Sequence, residues 1–206
     1  MSMDVEVYTG GLAQTNAFLL KTDQGHWLID APEGTREFLA DAGARLDGLI
    51  LTHGHWDHLW DAGPILQQEN CVSYGHRDDQ RLFDHPNLMS SFGMDADLHP
   101  VSIRHYLSHR ELLQLGPYQF EILHLPGHCP GSIGLYEKSE GVLFGGDVLF
   151  AGGVGRWDLP GGDFDVLMKS IKDHVLTLPE DTVVFSGHGP TTTIKDEKAT
   201  NPFLNR

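Results

Sequence analysis

The chain has 206 residues, enough to bury a sizeable core without staples, and an ordinary composition with 40% hydrophobic and 21% charged residues. A formal net charge of −15 with only 14 Lys and Arg argues against nucleic acid and anionic membrane surfaces as partners. Two cysteines without zinc-finger or thioredoxin spacing, no basic-then-apolar leader in "MSMDVEVYTGG", and no bilayer-length apolar run make a reducing, cytoplasmic location the expectation.

The first segment, "DVEVYTG", alternates and predicts a strand. "NAFLLKT" and "HWLIDA", joined by "DQG", predict a hairpin. "TREFLADAG" predicts a short helix capped by Thr35, with Phe38, Leu39 and Ala42 inward and Gly43 ending it. "DGLILT" is a buried strand, "LWDAGPILQQ" contains helix, and "CVSYG" is another strand. The stretch from Arg77 to Gly116 reads as a long irregular connection; its Phe92 and Met94 either pack or line a substrate mouth. The strand rhythm returns in "YQFEILHL", "SIGLYE" and "GVLFGGD". "DFDVLMKSIKDHVLTL" predicts a helix with Phe164, Leu167, Ile171 and Val175 on one stripe. "DTVVFSG" is a late strand, and "TIKDEKAT" a last short helix. Two strand-rich halves, each closing with helix and without a Pro/Ser-rich linker, predict one α/β domain over residues 1–206, with two packed mixed sheets and outer helices.

Chemistry concentrates in "THGHWDHLWDAG", Thr52 to Gly63. His53 and His55 follow a strand at i and i+2, so in extended backbone both point to one side. Asp57 and His58 follow at a helix start and can serve a second ion, the two ions of such sites lying about 3.5–4 Å apart. Three further donors recur after apolar strands beside glycine: His128 in "HLPGHCPGS", Asp147 in "FGGDVLF" and His188 in "VVFSGHGP". Several strands thus deliver donors to one edge of the fold. Imidazole and carboxylate donors suit zinc, iron or manganese, and Asp147 is the candidate to bridge two cations. Asp30, ending "HWLID", reads either as a turn carboxylate or as the partner of a ligand imidazole. Asp61 reads as a helix-surface carboxylate and Trp56 as a spacer. Cys71 reads as core, and Cys129 as a small residue packed beside His128.

His53-x-His55-x-Asp57-His58, followed in order by His128, Asp147 and His188, resembles the metallo-β-lactamase superfamily across nearly the whole chain. The resemblance implies an αββα sandwich with the metal site at one edge. It assigns His53, His55 and His128 to one divalent ion and Asp57, His58 and His188 to a second, with Asp147 bridging; zinc is expected, with iron or manganese as alternatives. "PGHCPGS", "GDVLFAGGVGRWDLPGGD" and "GHGPTTTIKDEKATNPFL" look like a short glyoxalase II-like hydrolase. Such proteins hydrolyse small-molecule glutathione thioesters such as S-lactoylglutathione. Longer members add a C-terminal helical domain that grips glutathione; this chain stops at Arg206 and resembles the shorter bacterial type. The implied reaction is attack of a hydroxide, generated at the cations, on a thioester carbonyl. Asp57 orients that hydroxide besides ligating, and Arg156 contacts the substrate, although Asp158 or Asp163 can also pair with it. The competing expectation is a persulfide dioxygenase-like enzyme with one iron on His53, His128 and Asp147.

Overall fold

The structure is a computed structural model that describes residues 3–88 and 98–205. Phe92 and Met94 lie outside the described residues. The chain divides into two compact units, Met1–Leu107 with Leu115–Pro117, and Ser108–Gln114 with Tyr118–Arg206. Among the described residues no helix is long and apolar enough to cross a membrane.

The first unit is built on a mixed sheet of β1 (Asp4–Gly10), β2 (Thr15–Thr22), β3 (Gly25–Ile29), β4 (Gly48–Ile50), β5 (Val72–His76) and β6 (His105–Leu107), in that order. β1, β2 and β3 pair antiparallel through short turns. β3, β4, β5 and β6 pair parallel, with Ile29 opposite Ile50 and Ile50 opposite Tyr74. The connections carry α1 (Thr35–Ala42), α2 (Trp56–Leu59), α3 (Ala62–Glu69), a 3-10 turn at Arg77–Asp79, and α4 (Gln80–Asp84). Leu19, Leu28, Leu49, Leu51, Leu59, Ile65 and Phe83 form its core. Each fully buried side chain of this kind contributes roughly 1.5–3 kcal/mol.

The second unit holds a second mixed sheet, ordered β14-β13-β10-β9-β8-β7. Its strands are β7 (Leu112–Leu115), β8 (Tyr118–His124), β9 (Ile133–Glu137), β10 (Val142–Gly146), β13 (Val183–Ser186) and β14 (Thr192–Thr193). The pair β11 (Leu149–Phe150) and β12 (Gly153–Val154) forms a small separate hairpin. β10 and β13 run parallel, with a register shift between Phe144 and Gly146. α5 (Phe164–Ser170) continues into a wider turn over Ile171–Val175, and α6 (Ile194–Thr200) follows β14. The predicted stripe is right: Leu167, Ile171 and Val175 are fully buried, and Phe164 packs at the margin.

Three expectations need correction. The stretch read as irregular contains α4, β6 and β7, each too short to carry a periodic signal. Thr35 does not cap α1: Gly34 is the N-cap, at φ 90° and without a capping side chain, while the Thr35 hydroxyl donates to the Pro32 carbonyl. The end does close at Gly43, whose φ of 60° suits a residue without Cβ. Asp61 is no surface carboxylate. It is buried, and its Oδ2 accepts the Arg36 N–H at 3.1 Å, capping α1 from another element. A sequence pattern shows no cap that arrives from 25 residues away.

Burial pushes the Asp61 carboxyl above its ordinary value, the backbone N–H groups of Arg36 and Gly34 oppose this, and the Glu37 charge adds to it. Folding therefore favours the protonated form. Its contribution is full below the unfolded value of 3.8 and is lost as pH rises through the raised folded value. Asp61→Ala should cost about 1 kcal/mol, the usual loss of an N-cap. Asp61→Asn keeps an acceptor and removes the charge, so it should melt at or above the wild-type temperature near about pH 7, the gap closing toward about pH 4. Thermal melts across that range check this; an Asn variant melting below wild type at neutral pH contradicts it.

Candidate metal centre

In the first unit the parallel register sets the positions. β3, β4 and β5 end side by side, so the residues that follow them share one edge: Asp30 after β3, Thr52 and His53 after β4, and the Arg77–Asp79 turn after β5. His55 is the N-cap of α2, and Asp57 and His58 lie in its four residues. His53, His55 and His58 are buried, with ring centroids 4.8 Å apart for His53–His55 and 4.2 Å for His53–His58. Three imidazoles packed this closely in a buried place would repel if protonated; neutral rings offering nitrogen to bound cations are the arrangement that chemistry favours.

Asp30 organises this group. It is fully buried and holds a left-handed backbone, φ 60°, that a non-glycine residue seldom adopts. Its Oδ1 accepts the Thr52 N–H at 2.8 Å, and its Oδ2 accepts both the Thr52 hydroxyl at 2.7 Å and His58 Nδ1–H at 2.8 Å. The Thr52 hydroxyl, having donated to Asp30, accepts from His53 Nδ1 at 3.1 Å. One carboxylate thus fixes Nδ1 of two imidazoles, one directly and one through Thr52. Nε2 of each ring is left open to ligation. His58 Nε2 lies 3.5 Å from Asp57 Oδ2, and Thr15 donates its hydroxyl to that same oxygen at 2.7 Å.

The second unit repeats the device with a main-chain acceptor. His128 Nδ1–H donates to the Arg156 carbonyl at 2.7 Å, directing Nε2 to within 3.5 Å of Asp147 Oδ2. His188 Nε2 lies 3.2 Å from the same oxygen. Asp147 follows β10 directly and His188 follows β13 by two residues, and these strands are parallel. Gly155 presses on this group: a Cβ there would overlap the Asp147 carbonyl and lie 3.2 Å from His128 Cβ. The Arg156 side chain makes a bidentate pair with exposed Asp158, at 2.8 and 2.9 Å. That hydrogen bond holds the guanidinium above, and the Asp158 carboxyl below, their ordinary values.

The donor sets suit a divalent metal: imidazoles with Nδ1 committed and Nε2 directed at a carboxylate, in each unit. The first unit brings together His53, His55, Asp57 and His58 with Asp30; the second brings together His128, Asp147 and His188 with the main chain of Arg156. Thr15, Thr52 and Gly155 were not singled out from the sequence, although Thr52 and Gly155 stand inside the quoted motifs. Cys71 and Cys129 are both buried, and burial pushes the Cys71 thiol up to about 11, which suits packing and not nucleophilic chemistry.

The family model described as Metallo-beta-lactamase superfamily matches residues 10–188. The chain is 39% identical to hydroxyacylglutathione hydrolase GloC of Haemophilus influenzae, over 98% of this chain and 99% of that one. It is 35% identical to the probable metallo-hydrolase YqgX of Bacillus subtilis, covering 95% and 94%. Among solved structures, BLEG-1 B3 metallo-beta-lactamase superposes with a TM-score of 0.88 at 34% identity, over 98% of this chain and all of that one. TTHA1623 in a di-iron-bound form gives 0.87 at 37% identity, over 97% of this chain and all of that one.

Gly155→Ala should lower stability by about 1–3 kcal/mol, because the overlap is with backbone that cannot rotate away, and should reduce metal content with it. Arg156→Ala keeps the carbonyl that His128 uses and should leave metal content unchanged. Melting curves and metal analysis of the two purified variants check the pair; equal metal loss in both contradicts it.

Proposed function

Because this chain belongs to the metallo-β-lactamase superfamily, has its fold and is a metallo-hydrolase by family, we propose that it is a binuclear thioester hydrolase acting on glutathione-derived thioesters such as S-lactoylglutathione. The observation that carries the substrate class is the 39% identity, over nearly both full lengths, to a hydroxyacylglutathione hydrolase. In this reading His53, His55 and His128 would hold one divalent cation, Asp57, His58 and His188 would hold the second, and Asp147 would serve both. Zinc fits the imidazole-rich set; the di-iron-bound relative supports iron equally.

Bound divalent cations supply Lewis acidity, lowering the pKa of water toward neutrality and polarising an acyl carbonyl. The remaining work falls to the chain. Asp30 and the Arg156 carbonyl keep His58 and His128 in the tautomer with Nε2 open to ligation, and Thr52 does so for His53. Thr15 fixes one oxygen of Asp57 by hydrogen bond, so the carboxylate keeps one orientation and accepts a hydrogen bond from the attacking water. Arg156 is exposed and its partner Asp158 is exposed too, so the guanidinium can exchange that partner for a substrate carboxylate.

The likeness to BLEG-1, at 34% identity, favours β-lactam hydrolysis as a second reading that would use the same donor set. A substrate panel separates them. The metal-loaded protein should cleave S-lactoylglutathione with kcat/KM at least about 100-fold above a β-lactam, and should consume no oxygen with glutathione persulfide. Arg156→Ala should raise KM roughly tenfold with kcat little changed, as loss of a ground-state contact does. A β-lactam preferred over every thioester selects the second reading, and oxygen uptake with the persulfide overturns both.

A further inference from the structure

We infer that Asp79 is a positioning residue for the first ligand pair, holding the peptide that joins His53 to His55. The inference rests on the reading that these two histidines bind metal. Asp79 closes the Arg77–Asp79 turn and stands at the N-cap position of α4. An aspartate there ordinarily accepts an N–H from its own helix. Asp79 makes no such bond. Its carboxylate turns away, and Oδ2 accepts the N–H of Gly54 at 2.8 Å.

Three facts give that bond its meaning. Asp79 is 1% exposed, and burying a carboxylate is costly unless hydrogen bonds compensate it, which the Gly54 N–H helps to do. Gly54 is the single residue between His53 and His55, so its peptide plane helps to set the angle between their rings, which stand edge to face at 86°. The ligand loop also lies tight on α4: a Cβ on Gly54 would come within 2.6 Å of Leu82 Cβ and 3.2 Å of Asp79 Cβ. Gly54 is therefore pressed from one side by Leu82 and tied by Asp79. The Arg77–Asp79 turn follows β5, whose parallel pairing with β4 places it beside the residues that follow β4. Asp30 fixes the ring nitrogens of this group from one strand end; Asp79 fixes its backbone from another.

The test uses the full chain and cobalt(II) alone as probe, read by its visible d–d absorption. Asp79→Leu is similar in shape and offers no acceptor; Asp79→Asn offers an uncharged one. Circular dichroism establishes that each variant is folded, and Asp79→Ala replaces the Leu variant if that one does not fold. The Leu variant should bind the first cobalt about 10- to 100-fold more weakly, with an altered d–d band shape, as expected when support behind a metal ligand is removed. The Asn variant should recover affinity to within a factor of about three, and the wild-type band shape, because the acceptor is restored. A folded Leu or Ala variant with wild-type cobalt affinity and spectrum overturns the inference, as does an Asn variant no better than Leu. His55→Ala serves as the reference. If it leaves cobalt binding unchanged, the ligand assignment itself has failed; if it abolishes the first cobalt spectrum while Asp79→Leu does not, only the role of Asp79 has.

Discussion

Parallel strand pairing is the constraint on which the chemistry depends. In a parallel pair both strands finish at the same edge, so residues that follow them are neighbours however far apart they lie in the chain. In the first unit this collects Asp30, His53 and Asp79 from three connections. In the second it collects Asp147 and His188, 41 residues apart in sequence, onto one carboxylate oxygen. An antiparallel arrangement of the same strands would send successive chain ends to opposite edges and scatter the donors. The antiparallel hairpins at β1–β2–β3 do a different job, supplying the edge of the sheet and, at the start of β2, the hydroxyl of Thr15.

Upon that frame the chain spends buried charge where a cation would return it. Asp30 is fully buried, and the groups it accepts from lie on the Thr52–His58 segment: the Thr52 amide, the Thr52 hydroxyl and His58 Nδ1. Such a carboxylate raises the basicity of the imidazole it touches and fixes its rotation. At His128 the same function falls to a peptide carbonyl, a weaker and neutral acceptor, held in place because Gly155 lets the chain run against Asp147. The segment containing Gly155 is itself tied down. Glu197, buried on α6, accepts from the Gly152 amide and from Asn201 Nδ2, and Asn201 Nδ2 also reaches the Gly153 carbonyl. The closing motif "GHGPTTTIKDEKATNPFL" is thus legible as support for the β11–β12 hairpin that leads into Arg156.

Most of this was present in the sequence, for identifiable reasons. Of the seven candidate donors, His53, His55, His128, Asp147 and His188 stand beside glycines at the ends of apolar runs, a pattern that ordinary surface histidines do not repeat, and Asp57 and His58 follow directly in the first motif. Alternation located β1, the turn signal "DQG" between apolar runs located the β2–β3 hairpin, and helical spacing located the stripe of α5. Asp30 was visible as the residue ending a strand, readable either as a turn carboxylate or as the partner of an imidazole, and it bonds His58. What sequence reasoning missed depends on contacts between distant segments. Asp61 looked like a surface carboxylate because the helix it caps precedes it by a full strand and loop. Asp79 sits in "HRDDQ", where two adjacent acids beside basic and polar residues suggest solvent. β6, β7 and α4 are three to five residues long, below the length at which alternation or helical spacing can be recognised.

The central claim is that two divalent cations on this donor set make the chain a thioester hydrolase. Its most direct test is a titration of the metal-free full chain with zinc, following S-lactoylglutathione hydrolysis as each increment is added. The account predicts a rate that rises from background and reaches its plateau at two equivalents per chain. A chain that takes up zinc and stays folded yet shows no thioester turnover at any metal ratio would contradict it.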